Sequence, residues 1–72
     1  LGYVAPEREL EGLLGKQGVA VTPLRPSGTA KIEGDPIDVV TEGGFIPREA
    51  QVKVVKVEGT RIVVREIKDT IN

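Results

Sequence analysis

Apolar side chains along this chain recur at every second position in short runs, and glycine or proline breaks each run. Such runs read as half-buried strands and the breaks as turns. The stretch 18–41, from Gly18 to Thr41, holds three of these strands joined by two tight turns. In the first, 19–24, Val19 and Val21 alternate with Ala20 and Thr22. Pro23 removes a ladder donor and places that end at an edge or a bend. Arg25-Pro26-Ser27-Gly28 is a turn signal, in which Pro26 presets φ, Ser27 bonds nearby backbone and Gly28 tolerates a positive φ. Residues 29–33 and 36–41 then form a hairpin around Gly34-Asp35, pairing Ile32 with Ile37, Ala30 with Val39 and Lys31 with Asp38. This register gathers Ala30, Ile32, Ile37 and Val39 on one face and Lys31, Glu33 and Asp38 on the other. A slip of one residue would mix the two sets. The implied Lys31–Asp38 pair, if exposed, contributes only about a few tenths of a kcal/mol.

The remaining segments extend the pattern. In the connection 42–50, Gly43-Gly44 ends the strand, Phe45-Ile46 reads as a plug under one barrel end, and Pro47 and Arg48 lead onward; there is no room for a proper helix. A second hairpin, 51–57 with 60–67, turns at Glu58-Gly59. Val52 and Val54 share one parity and Val55 and Val57 the other, so a β-bulge near Val54-Val55 is predicted to bring all four to the core side. Ile62 and Val64 face inward, leaving Lys53, Lys56, Arg61 and Arg65 toward water. Residues 1–17 read as an arm or linker. Pro6 opens a helical turn, Glu7, Glu9 and Glu11 suit its positive end, and Leu10, Leu13 and Leu14 share a face that caps a barrel mouth. Gly12 and Gly15 oppose propagation of that turn. The expected organisation is an arm at 1–17, a barrel at 18–67 and a polar tail at 68–72.

Five short strands in this order suit an all-β fold, a small five-stranded OB-like barrel without the usual helix between its third and fourth strands. An SH3-like barrel is the alternative. Composition agrees with strands: 11 Val and 6 Ile stand against 5 Leu, with one Phe, one Tyr, no Met and no Trp. β-branched side chains are stiff about χ1 and pack well on a pleated surface. At 72 residues the chain is one domain at most, and a chain of this size buries only about 60% of its unfolded surface.

Charge and missing residue types narrow the chemistry. Ten basic and eleven acidic residues give a net charge of −1, without the clustered cationic footprint of a nucleic-acid binder. With no Cys and no His there is no thiol nucleophile or thiolate metal site, and neither the commonest metal ligand nor a side chain titrating near neutrality. Ser27, the single serine, has only Lys31 or Lys16 as conceivable bases, in no recognisable context. Glu33, Asp35 and Asp38 lack an EF-hand pattern and read as a solvated hairpin tip. Neither hairpin tip carries the lysine of a carrier domain. No catalytic residue, metal ligand or cofactor is expected. No apolar run approaches the roughly 20 residues of a membrane span, and the start at Leu1 reads as a piece of a longer parent.

The run Val-Ala-Val-Thr-Pro-Leu-Arg-Pro-Ser-Gly-Thr-Ala at 19–30 resembles the signature of the NfeD-like family. Ile-Glu-Gly at 32–34, the apolar run 37–40, and Phe-Ile-Pro with Val-Lys-Val-Val-Lys-Val-Glu-Gly within 45–59 continue the likeness. It covers roughly 15–64, and Thr-Pro-Leu-Arg-Pro-Ser-Gly is its most specific part. The resemblance implies the soluble C-terminal domain of a membrane protein, OB-like and lacking the inter-strand helix. It also implies non-catalytic binding of stomatin- or flotillin-type membrane partners, and a cytoplasmic position beside the membrane that anchors the parent. Longer family members carry a Clp-related serine protease region that has no counterpart in these residues. The family motif maps onto Thr22, Pro23, Leu24, Arg25, Pro26, Ser27 and Gly28, read first as fold-determining. Lys53, Lys56, Arg61 and Arg65 form a modest basic stripe that would face a partner or anionic headgroups. The competing functional reading is an OB-type binder of oligonucleotide or oligosaccharide. Against it, such binders stack bases on several aromatics in a basic groove, and only Tyr3 and Phe45 are aromatic here, the latter assigned to the core.

Overall fold

The computed structural model describes residues 10–68. Five strands follow one another: β1 (Gln17–Ala20), β2 (Ser27–Ile32), β3 (Asp35–Val40), β4 (Gln51–Glu58) and β5 (Arg61–Glu66). They close into a barrel in the order β1-β2-β3-β5-β4. All neighbours are antiparallel except β3 and β5, which run parallel and pair only at Val40↔Val63. Residues 41–50 hold no helix, so the fold is the five-stranded OB-like barrel without its inter-strand helix.

Small residues on β1 and β2 let so short a barrel close. Ala20 and Ala30 pair across the two strands and are fully buried, and Gly18 faces Ile32 two pairs along. A Cβ on Gly18 would collide with the Lys31 carbonyl oxygen and stand 2.8 Å from Ile32 Cδ1. The larger core residues, Leu24, Ile32, Val52, Val54, Ile62 and Val64, then fill the interior. Mixing small and large inward residues is how a small barrel fits its taper.

This packing corrects the first strand. β1 spans Gln17–Ala20 instead of 19–24, and Val19 (40% exposed) and Val21 (41%) lie outside while Ala20 points in. Hydropathy favours the valines for the core, but Ala20 shares its face with Gly18, where a side chain would collide with β2. The chain bends after Ala20. The Val21 and Thr22 N–H groups both donate to the Thr29 carbonyl, at 2.9 and 3.3 Å.

The first hairpin turns at Glu33-Gly34, not Gly34-Asp35, and pairs Ala30 with Ile37, Lys31 with Pro36 and Ile32 with Asp35. Both turn residues have positive φ, 53° and 89°, the requirement of a two-residue I′ turn. Relative to the expected register the slip is two residues, so the faces are unchanged: Ala30, Ile32 and Val39 are buried, and Lys31, Glu33 and Asp38 are exposed. The Lys31–Asp38 pairing is replaced by Thr29↔Asp38, where the threonine hydroxyl approaches Asp38 Oδ1 at 3.5 Å.

The second hairpin turns at Gly59-Thr60 instead of Glu58-Gly59, with Glu58 opposite Arg61. Gly59 takes a φ of 60° at the first central position, as a II′ turn demands. The expected bulge is present: Val54 faces Val64 while Lys56 faces Val63, so Val55 is the extra residue. It restores Val57 to the core side, but Val55 itself stays half-buried outside the core cluster.

Of the arm at 1–17, residues 1–9 lie outside the described ones, and with them the helical opening at Pro6, Glu7 and Glu9. Leu13 N–H donates to the Leu10 carbonyl at 2.9 Å and Lys16 N–H to Leu13 at 2.8 Å. This turn is fastened to β4 by reciprocal bonds between Gly15 N–H and the Val54 carbonyl (2.9 Å) and Val54 N–H and the Lys16 carbonyl (2.8 Å). Leu10 joins the core and Leu13 packs against it, whereas Leu14 is 59% exposed.

Glycine substitutions separate these constraints. A Cβ on Gly28 would meet Thr22 Oγ1 at 2.5 Å and Leu24 Cδ2 and the Pro23 carbonyl at 2.7 Å, whereas Gly34 is spatially open but has a φ of 89°, and Gly44 is free of both restrictions. Gly28→Ala is expected to cost about 2 kcal/mol and lower Tm by roughly 8–16 °C. Gly34→Ala should cost about 1 kcal/mol and Gly44→Ala close to nothing. Thermal unfolding by circular dichroism checks the order; equal shifts at all three positions would contradict it.

Candidate interaction surface

Two strandless connections, residues 21–26 and 41–50, meet at one end of the barrel. Leu24 N–H donates to the Ile46 carbonyl at 2.9 Å and Ile46 N–H returns a bond to the Leu24 carbonyl at 3.1 Å. Thr41 N–H donates to the Pro26 carbonyl at 2.8 Å. Leu24 and Ile46 are buried, and their chain neighbours Arg25 and Phe45 are exposed. The guanidinium carbon of Arg25 lies 5.1 Å from the centroid of the Phe45 ring, within cation–π range. Phe45 is thus not the core plug its hydropathy implied. Only Ile46 of that pair enters the barrel, and Phe45 is 55% exposed.

The rest of the 22–28 motif lies around this corner. Thr22 Oγ1 accepts a bond from Thr29 N–H at 3.0 Å. Pro23 is exposed, as is Pro26, which follows a cis peptide bond. Ser27 and Gly28 are not turn residues: both belong to β2, opposite Val40 and Val39. Gly28 has no positive φ, and close packing against Thr22, Pro23 and Leu24 is what excludes a side chain there. Ser27 is exposed and paired with a valine, which gives it no activating base at that position.

Residues 41–44 brace the connection that carries Phe45. The buried Thr41 hydroxyl donates to the Gly44 carbonyl at 2.6 Å and accepts from Gly43 N–H at 3.1 Å. Next to it, Glu42 Oε1 accepts from Arg65 Nη2 at 2.8 Å and Arg65 Nε at 3.1 Å. Thr-Glu-Gly-Gly following a strand carries the signal for such a hydroxyl-stapled turn, but the brace was not read from it. The Arg25–Phe45 stack was missed because the two residues belong to different connections.

Lys53, Lys56, Arg61 and Arg65 all face outward from β4 and β5 and are exposed. Lys53 stands directly opposite Arg65, and Glu58 lies opposite Arg61. Acidic neighbours interrupt the stripe. Lys56 pairs with Glu58 at 3.2 Å and Arg65 with Glu42 at 2.8 Å. Among the described residues, Lys53 and Arg61 take part in no ion pair. Where β3 and β5 splay apart beside their single paired position, a groove of about 350 Å³ opens, lined by Ser27, Thr29, Asp38, Val40, Arg61 and Ile62 among others. No aromatic lines it, so it offers no stacking platform. Among the described residues no group of three or more Asp or Glu is placed to hold a metal ion, Glu33, Asp35 and Asp38 included. Among them, too, no helix is long and apolar enough to cross a membrane.

The described residues form a closed OB-like barrel whose connections are braced into an exposed corner. Comparison with known proteins gives its family. Residues 10–66 match the NfeD-like C-terminal, partner-binding domain, and the chain belongs to the NfeD-like family. It is 54% identical over 66 residues to the membrane protein NfeD1b of Bacillus subtilis (strain 168), covering 92% of this chain and 15% of that protein's length. Among solved structures, the C-terminal domain of the stomatin operon partner protein 1510-C from Pyrococcus horikoshii superposes with a TM-score of 0.75 at 27% identity, covering 82% of this chain and 94% of the other. The soluble domain of a Corynebacterium glutamicum membrane protein implicated in regulation of membrane protease activity shares the fold, with a TM-score of 0.71 at 17% identity, over 79% and 95% of the two chains.

Thr41→Val tests the brace. It keeps the shape but strips both hydroxyl bonds, leaving Gly43 N–H and the Gly44 carbonyl without these partners. A loss of about 1–3 kcal/mol is expected, read by urea denaturation. Faster amide exchange confined to residues 42–46 should accompany it. An unchanged midpoint and unchanged exchange would remove Thr41 from the account.

Proposed function

We infer that this domain is a non-catalytic protein-interaction module, the C-terminal part of a membrane-anchored NfeD-like protein, and that it binds a stomatin- or flotillin-type membrane partner. The observation that carries this reading is the match of residues 10–66 to a partner-binding domain. The structural likeness to a stomatin operon partner's C-terminal domain supports the choice of partner, and kinship with a membrane protein supports the anchor, in the rest of the parent chain. On this reading the module lies on the cytoplasmic side and takes no cofactor. Any protease region of the parent would be a separate domain, for which residues 22–28 supply nothing: their task is to build the corner.

Lys53, Lys56, Arg61 and Arg65 are proposed as part of the partner-facing surface. Lys53 and Arg61, which have no ion pair among the described residues, carry most of the available charge. Exposed charges of this kind act mainly on association rate and its salt dependence. A pulldown of the stomatin-type protein from the same organism tests the module: enrichment by the chain is expected, and no enrichment would overturn the partner assignment. Charge reversal at all four positions should slow association several-fold at low salt, and unchanged rates would remove the stripe. Labelled single-stranded DNA titrated across salt concentrations should show no binding. Micromolar, salt-sensitive binding would favour the oligonucleotide reading instead.

A further inference from the structure

The corner where residues 21–26 and 41–50 meet contains two side chains that the fold does not use. Leu24 and Ile46 fill the barrel end, Thr22 caps Thr29 N–H, and Gly28 admits close packing. Arg25 and Phe45 do none of this. They project outward together, with the guanidinium 5.1 Å from the ring centroid. The chain's single phenylalanine is 55% exposed, and among the described residues Arg25 forms no ion pair with a carboxylate.

We propose that the Arg25–Phe45 stack is the anchor point for the partner protein, and that it receives an extended or helical segment carrying one carboxylate beside aliphatic side chains. The chemistry follows from the pair. An arginine fork lying over a ring keeps its N–H donors for a carboxylate, which it grips bidentately. The uncovered part of the ring offers an apolar surface to the neighbouring side chains. Arginine and aromatic residues in rigid surroundings are the side chains that most often dominate binding energy. Rigidity is present: reciprocal Leu24–Ile46 backbone bonds, the Thr41 N–H bond to Pro26 and the Thr41 hydroxyl staple hold both connections before any partner arrives. Pre-organisation of this kind lowers the ordering cost of association.

Charge around the corner selects the occupant. On the connection that carries Phe45, Glu42 is already paired with Arg65, and exposed Arg48 and Glu49 are adjacent and of opposite sign. The corner therefore carries little net positive charge beyond Arg25, too little for a strongly acidic tract or an anionic bilayer, which needs clustered basic residues to hold a protein. A single carboxylate flanked by apolar side chains is the complement that remains.

This site rests on the partner-binding reading above, so its test uses a probe independent of any named partner. A displayed library of random 16-residue peptides is selected against the intact chain and against the Arg25→Ala/Phe45→Ala variant. The wild-type chain should enrich peptides with Asp or Glu next to Leu, Ile, Val or Phe, and the variant should lose that enrichment. The best selected peptide should bind about tenfold more weakly to Arg25→Ala and to Phe45→Ala, with Arg25→Lys recovering only part of the loss. Both residues are exposed, so the variants should keep the wild-type Tm within a few degrees; Arg48→Ala, another exposed arginine, serves as the control and should bind normally. Selected peptides without a carboxylate, equal enrichment on the double variant, or no enrichment on wild type would each overturn the site. So would binding to vesicles containing phosphatidylserine that Arg25→Ala abolishes, which would assign the stack to a membrane. Failure of the stomatin-type pulldown alongside a positive selection would overturn the choice of partner and leave the site standing.

Discussion

Reciprocal hydrogen bonding between Leu24 and Ile46 is the contact on which this barrel's architecture turns. The β3–β5 seam pairs at one position only, so the ladder alone closes it weakly. Beyond β3 the two connections extend the pairing: Thr41 bonds back to Pro26, continuing the β2–β3 ladder, and two residues before Pro26 the chain pairs with Ile46. Each such bond is worth about 1 kcal/mol net. Their larger effect is to drive Leu24 and Ile46 into the interior, where burying a side chain of that size contributes about 1.5–3 kcal/mol. This end of the barrel is thus secured by loops whose sequence carries no strand pattern.

That same pairing decides what is left outside. In extended backbone, neighbouring side chains point to opposite sides. Burying Leu24 and Ile46 therefore turns Arg25 and Phe45 outward, where they meet. Structure and surface are two sides of one contact, and this is why a motif that reads as fold-determining also displays the chain's most distinctive exposed pair. The basic stripe is a different kind of feature. With Glu58 and Glu42 neutralising half of it, its remaining charge acts at a distance, while the stack is built for contact.

What could be read from the sequence was face, and what could not was partner. Alternation assigned Ala30, Ile32 and Val39 to the core and Lys31 and Asp38 to solvent, yet a two-residue slip preserves that sorting, so the turn at Glu33-Gly34 was invisible to it. The bulge at Val55 was legible because two pairs of valines of opposite parity cannot both face inward without an extra residue. Val19 and Val21 were misleading because the inward face of β1 is set by Gly18, where a Cβ would collide with β2, and by buried Ala20, a limit that tertiary packing sets and hydropathy ignores. Phe45 failed for a related reason. A Phe-Ile pair in extended backbone can send only one member inward, and the Leu24 bridge selects Ile46. Of the candidate surface, the four basic residues were visible as parity on two strands; the Arg25–Phe45 stack was not, because it joins residues 20 positions apart on two connections with no periodicity.

Amide hydrogen exchange at Leu24 and Ile46 is the most direct measure of the central contact. If their reciprocal bonds lock the barrel end, both amides should exchange with protection within about tenfold of the Ala30 amide in β2, opening only with the barrel as a whole. Exchange at the rates of an unstructured loop, with Ala30 still protected, would show that the corner opens independently and would contradict the account.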